Sequence, residues 1–107
     1  MSDRELPHHS LAGFQANIDA IYGERDAARG LPSTFMWLTE EVGELARALR
    51  SGDPDNLRTE VSDVLAWLST VASLAGVDLA EAASRYSHGC PRCEATPCDC
   101  RRGPARS

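Results

Sequence analysis

Glu40-Glu41-Val42-Gly43-Glu44 and, after fifteen further residues, Glu60-Val61-Ser62-Asp63 decide how this chain is read. Glu41 and Glu44 are spaced i, i+3, as are Glu60 and Asp63, so on a helix both acids of a pair project from one face. Like charges in that register repel and weaken a helix by roughly a few tenths of a kcal/mol per pair. Two matched pairs on two segments of helical periodicity suggest that something positive sits between them. Carboxylate oxygens suit a hard divalent cation, Mg2+ or Mn2+. For either pair taken alone, the alternative is a solvated charged face. Trp37 lies four residues before Glu41, and Trp67 four residues after Asp63. On antiparallel helices this puts one indole beside each acidic pair, on the same side of the apolar seam. Each indole is then either the edge of a core or a stacking surface.

Outward from these acids the periodicity stays helical. Leu11, Phe14, Ile18, Ile21 and Tyr22 predict a first helix from about Ser10 to Arg29, ended by Gly30 and Pro32. A second helix is expected from about Thr34 to Arg50, with Ser33 or Thr34 as its N-cap. Its apolar stripe is Phe35, Leu38, Val42, Leu45 and Leu49, and Trp37, Glu41 and Glu44 centre about 100° to one side. Ser51-Gly52-Asp53-Pro54 reads as a turn, with Asp53 as N-cap and Pro54 at the first helical position. The third helix, from about Pro54 to Ala75, is expected to carry Leu57, Val61, Val64, Leu65, Leu68, Val71 and Ala72 inward. Glu60, Asp63 and Trp67 flank that stripe. The short turn makes the second and third helices an antiparallel hairpin. Gly76 closes the third helix, and Asp78-x-x-Glu81 resembles a capping box for a fourth helix to about Tyr86. The fold class is therefore all-α: a small bundle of four helices over residues 10–87. A flexible lead is expected over 1–9, a cysteine-rich tail over 88–100 and a disordered end over 101–107.

A chain of 107 residues supports one modest core and gains from self-association. Its net charge of −5, with no strongly basic face, disfavours a nucleic-acid polymer as partner. It does not exclude a nucleotide, because a divalent cation bridges phosphate to carboxylate. Met1 to Pro7 shows no apolar signal-peptide core, and no stretch approaches a transmembrane span, so a cytoplasmic protein with no membrane partner is expected. Glycine-rich phosphate loops and Ser, His or Cys triads are absent from the pattern, and His8 and His9 read as inert.

In that compartment cysteines are sooner thiols or metal ligands than disulfides. Cys90-Pro91-Arg92-Cys93 resembles half a zinc knuckle, and Cys98 and Cys100 follow within seven residues. Four thiolates would close one tetrahedral Zn2+ site with no open position, which would anchor the tail and not catalyse. The tight Cys98-x-Cys100 spacing leaves redox-labile thiols, and one or two disulfides, as the other readings.

The EExxE…ExxD arrangement of Glu40, Glu41, Glu44, Glu60 and Asp63 is similar to that of MazG-like nucleotide pyrophosphohydrolases, in the all-α NTP pyrophosphatase superfamily. Arg25-Asp26, Arg29-Gly30, Thr34-Phe35, Trp37-Leu38, Val64-Leu65-Ala66-Trp67 and Gly76-Val77-Asp78-Leu79 extend the resemblance over residues 10–100. The resemblance implies Mg2+-dependent hydrolysis of a nucleoside triphosphate to the monophosphate and pyrophosphate. It also implies metal binding by Glu41, Glu44, Glu60 and Asp63, with Glu40 supporting them or positioning water. Homodimers or homotetramers, with pockets near subunit contacts, are implied as well. Charge on the triphosphate must be neutralised and a water activated, which a divalent ion among carboxylates supplies. Glu41 or Glu44 would take the water's proton as it attacks the α-phosphorus in line. Trp37 and Trp67 would stack on the base or pack the core, and Arg25 and Arg29 would touch phosphate or stand as solvated helix-end charges. Two readings stand beside this one: a phosphoribosyl-ATP pyrophosphatase-like enzyme, and a non-catalytic metal-binding module that dimerises through its helices.

Overall fold

Each helix boundary follows from a local device in the sequence. A computed structural model describes residues 8–101. The rest of the expected lead and of the arginine-rich end lies outside the described residues. Helix α1 spans Leu11–Arg29, α2 Leu31–Ser51, α3 Pro54–Leu74 and α4 Leu79–Ala83, the last running into a 3-10 turn over Ser84–Tyr86. There is no strand among the described residues, so the fold is all-α. Ser10 Oγ accepts from the Gly13 amide at 3.0 Å, Asp53 Oδ1 from Asp55 at 3.1 Å and Asp78 Oδ1 from Glu81 at 3.1 Å. Each satisfies an amide that the first helical turn leaves without a partner. At the other end of α3, Gly76 N–H donates to Ser73 O and Val77 N–H to Ala72 O, the paired bonds of a Schellman motif.

The start of α2 corrects the expected cap. Gly30, with φ 89° and ψ 162°, is the N-cap, and α2 begins at Leu31, so Ser33 and Thr34 lie inside the helix. A single glycine suffices because that positive φ is open to it and not to residues with a Cβ. Pro32 sits in the first turn, where its missing N–H costs nothing. Thr34 is completely buried, and its hydroxyl donates back to Gly30 O at 2.7 Å.

Helices α2 and α3 form the antiparallel hairpin, and α1 lies mainly against α3. Gln15 ties α1 to the α3–α4 junction: its amide nitrogen reaches Ser73 Oγ and Val77 O, and its oxygen accepts from Leu79 N–H. Among the described residues the buried apolar ones are only Ile18, Leu38, Ala48 and Ala72, joined by the polar Asp26, Thr34, Ser69 and Thr70. Leu38 and Ala72 of the expected inward stripe are buried, but much of the rest of that stripe is not. Phe35, Val42 and Leu49 on α2 are 53%, 50% and 62% exposed, and Val61, Leu65 and Leu68 on α3 are exposed as well. An amphipathic helix specifies its apolar side but not which neighbour covers it. Here α1 covers a different, more polar side of the hairpin.

Candidate active site

The hairpin brings three of the four predicted acids together. Glu41 from α2 and Glu60 and Asp63 from α3 are half-buried, and a carboxylate oxygen of each lies within 4.8 Å of the other two. Burial, then the charges of Asp63 and Glu60, then a hydrogen bond with Glu60 and the charge of Glu44 push the Glu41 carboxyl above its ordinary value. One oxygen of Glu60, Oε1, is buried without a hydrogen-bond partner. A buried acceptor left unpaired among like charges is costly. The donor set is all carboxylate oxygen, so a hard divalent cation fits it: the ion would satisfy the orphaned oxygen and oppose the repulsion.

Glu44 stands outside this group. Its carboxylate meets Arg47 at 3.6 Å. It remains close enough for its charge to act on Glu41. Glu40 is exposed to solvent.

Trp37 and Trp67 stack on each other, with ring centroids 6.0 Å apart and planes 15° from parallel. The Arg29 guanidinium lies 4.8 Å from the Trp67 ring centroid, a cation–π contact. Arg29 is held there by Asp26, whose Oδ1 accepts from Nη1 and Nη2 at 3.0 Å each, and it also donates to Thr34 Oγ1 at 3.2 Å. The other Asp26 oxygen accepts from Thr70 Oγ1 at 3.1 Å. Arg29, expected at phosphate or in solvent, lies against an indole and lines the adjoining cleft. Asp26 belongs to the resemblance but had no role assigned from sequence; its i, i+3 spacing to Arg29 was the available signal, and Thr70 lies 44 residues away.

Beside these groups is a cleft of about 220 Å³, lined by Tyr22, Arg25, Arg29, Asp63 and Trp67 among others. Asp63 therefore links the acidic cluster to the cleft. Tyr22, read as part of the α1 stripe, is instead a partly exposed cleft residue.

The four cysteines form a second cluster, well separated in sequence from the acids. Cys90 Sγ lies 3.7 Å from Cys100 Sγ, Cys93 Sγ 4.0 Å from Cys98 Sγ, and all four sulfurs fall within 4.8 Å of one another. All four are free thiols. Backbone amides of Arg92, Asp99 and Cys100 donate to Cys90, Cys93 and Cys98. Hydrogen bonds from the Cys93 and Arg92 backbone bring the Cys90 thiol down to about 6. Cys100, hydrogen-bonded to Cys98 first and to its other neighbours, is pushed up to about 12. The cluster has the make-up of a metal site.

Residues 29–92 match the MazG nucleotide pyrophosphohydrolase domain. Over 73 residues the chain is 38% identical to a dATP/dGTP diphosphohydrolase of Cyanophage S-2L, the match covering 68% of this chain and 66% of that protein. The domain match contains both tryptophans and all the acids of the hairpin, while Asp26 falls just before it. It takes in α2, α3 and α4 whole, the elements that build the acidic cluster, and it spans more than half of the chain. This chain belongs to the MazG nucleotide pyrophosphohydrolase domain family.

Proposed function

We propose that this protein is a Mg2+-dependent nucleoside triphosphate pyrophosphohydrolase, converting an NTP or dNTP and water to the monophosphate and pyrophosphate. The observation that carries the reading is the convergence of Glu41, Glu60 and Asp63 around an unpaired buried oxygen, in a chain of this family. Mg2+, or Mn2+ in its place, would be held by these three acids and would supply charge neutralisation on the triphosphate and a more acidic water. Glu44, outside the cluster but near it, is the carboxylate best placed to accept the water's proton. Trp37, the more exposed indole, offers its face to the base, with Trp67 as backing and Arg29 as brace. Arg25 in the cleft wall is available to phosphate.

A cleft of about 220 Å³ is smaller than the roughly 300–1,000 Å³ typical of a small-molecule site. It holds part of a nucleotide, and a second copy of the chain would complete the enclosure. The uncovered apolar face of the hairpin, Phe35, Val42 and Leu49 with Val61, Leu65 and Leu68, supports a homodimer or homotetramer. No single described helix is long and apolar enough to cross a membrane, and a nucleotide substrate suits the cytoplasmic location expected from sequence. The cyanophage relative, a dATP/dGTP diphosphohydrolase, makes dATP and dGTP the first substrates to try. The cysteine cluster takes no part in this reaction.

The test is pyrophosphate release from a panel of ribo- and deoxynucleoside triphosphates, in Mg2+ and in EDTA, with Glu60→Gln alongside. Metal-dependent release of pyrophosphate and monophosphate, lost in the variant, is expected. No release from any nucleotide by folded protein would overturn the reading in favour of the non-catalytic module. Release of orthophosphate in place of pyrophosphate would refute the assignment of the bond cleaved.

A further inference from the structure

The cysteine segment has a defined shape and nothing apolar to hold it. From His88 to Arg101 no residue is buried, and the segment contains no helix or strand. Its internal backbone bonds are few: Cys90 N–H donates to Ala95 O at 3.1 Å and Glu94 N–H to Cys90 O at 2.6 Å. Pieces this short do not keep a fold through hydrophobic burial, and small units without a core rely on disulfides or metal. The four sulfurs are not joined in disulfides. Yet the backbone is bent sharply around them. Glu94 adopts a left-handed φ of 61°, and at Gly89, φ 101°, an added Cβ would come within 2.7 Å of Thr96 Oγ1.

The sulfur geometry names the missing tie. Zn–S bonds of about 2.3 Å in a tetrahedron put the sulfurs about 3.8 Å apart. The Cys90–Cys100 and Cys93–Cys98 separations of 3.7 and 4.0 Å bracket that value, and all four sulfurs lie within 4.8 Å of one another. Three sulfurs also accept backbone N–H bonds, which stabilise thiolate over thiol. An all-sulfur set is soft and selects Zn2+ over the hard ions suited to carboxylates. We propose that Cys90, Cys93, Cys98 and Cys100 bind one Zn2+ as a closed four-thiolate site, and that this ion folds residues 88–101 independently of the acidic site and its reaction. Binding forms four Zn–S bonds, releases the protons of those thiols still protonated, and transfers no electrons. The site is left as a dianion with no open coordination position.

The experiment uses the full chain, reduced, stripped of metal and then supplied with Zn2+ alone. Metal analysis after desalting is expected to find about one zinc per chain. Cys93→Ser and Cys98→Ser should each lose it while keeping wild-type helical content by circular dichroism. Glu60→Gln should keep the zinc, which separates this site from the acidic one. Co2+ in place of Zn2+ should show thiolate charge-transfer and strong tetrahedral absorption bands. Amide NMR signals of residues 88–101 should disperse on zinc addition and collapse on chelation, while helical signals stay. Zinc no higher in the wild type than in Cys93→Ser overturns the proposal. A mass showing loss of thiol hydrogens in the protein as purified overturns it in favour of disulfides.

Discussion

Replacing Glu60 by Gln should make the metal-free protein more stable while destroying its activity. Carboxylate oxygens of Glu41, Glu60 and Asp63 lie within 4.8 Å of one another. One ionised pair at that distance repels by about 3.5 kcal/mol at an effective dielectric of about 20, and by about 0.9 kcal/mol at that of bulk water. A half-buried site lies between these limits, and Glu41 already relieves part of the strain by holding its proton more tightly. Gln keeps the shape of Glu60, removes one charge and can donate a hydrogen bond to Glu41. The expected gain in EDTA is about 1–2 kcal/mol. In Mg2+ the order reverses: a ligand at a hundredfold over its Kd stabilises the wild type by about 2.7 kcal/mol, and the variant, short of a ligand, gains much less. Urea denaturation followed by far-ultraviolet circular dichroism reads both terms. One fixed protomer concentration is needed, because association also adds to apparent stability. A variant less stable than the wild type in EDTA would refute the reasoning. So would equal gains from Mg2+ in both proteins.

Metal-free stability should also depend on pH through Glu41. Its folded value is raised above 4.5, so the folded state keeps a proton that the unfolded state has released. The contribution is complete below 4.5 and is lost as pH rises through the folded value; Glu41→Gln should flatten that fall in thermal melts in EDTA, and an unchanged slope counts against it. Asp26→Ala removes the clamp on Arg29 and the Thr70 bond, at a cost of about 3 kcal/mol with Arg29 only partly screened. The near-ultraviolet signal of the Trp37–Trp67 stack should change with it; a cost below about 1 kcal/mol and an unaltered signal would show that Arg29 needs no brace. Val42→Glu places a charge in the middle of the exposed apolar face, so sedimentation should show single chains of normal helix content. Persistent association would move the interface elsewhere.

Local devices were legible in the sequence because they act within a few residues. Asp53-Pro54 and Asp78 open their helices as read, since a cap needs only its own first turn. The one cap misplaced, at Ser33 or Thr34, yielded to Gly30 because glycine can turn the chain with no intervening residue. The four acids could be picked out by spacing, but spacing cannot say that Glu44 parts company with Glu41. The neighbouring Arg47, which Glu44 meets at 3.6 Å, is what the spacing could not show. Asp26 stood only within the resemblance, with no role of its own, because its worth comes partly from Thr70, on a different helix.

By itself the sequence determined the all-α class and the helical hairpin and offered the acids and cysteines as candidate ligands, because periodicity, caps and ligand chemistry are properties of short segments; the family came from the resemblance of its acid motif. The tertiary structure alone decided which face of that hairpin α1 covers, and so why Phe35, Val42 and Leu49 stay exposed. It alone joined Asp26, Arg29 and Thr70 behind the paired indoles and brought Glu41 against Glu60 and Asp63. Those outcomes depend on how whole helices pack against one another, and amphipathicity sets a preference for burial without naming the neighbour that provides it.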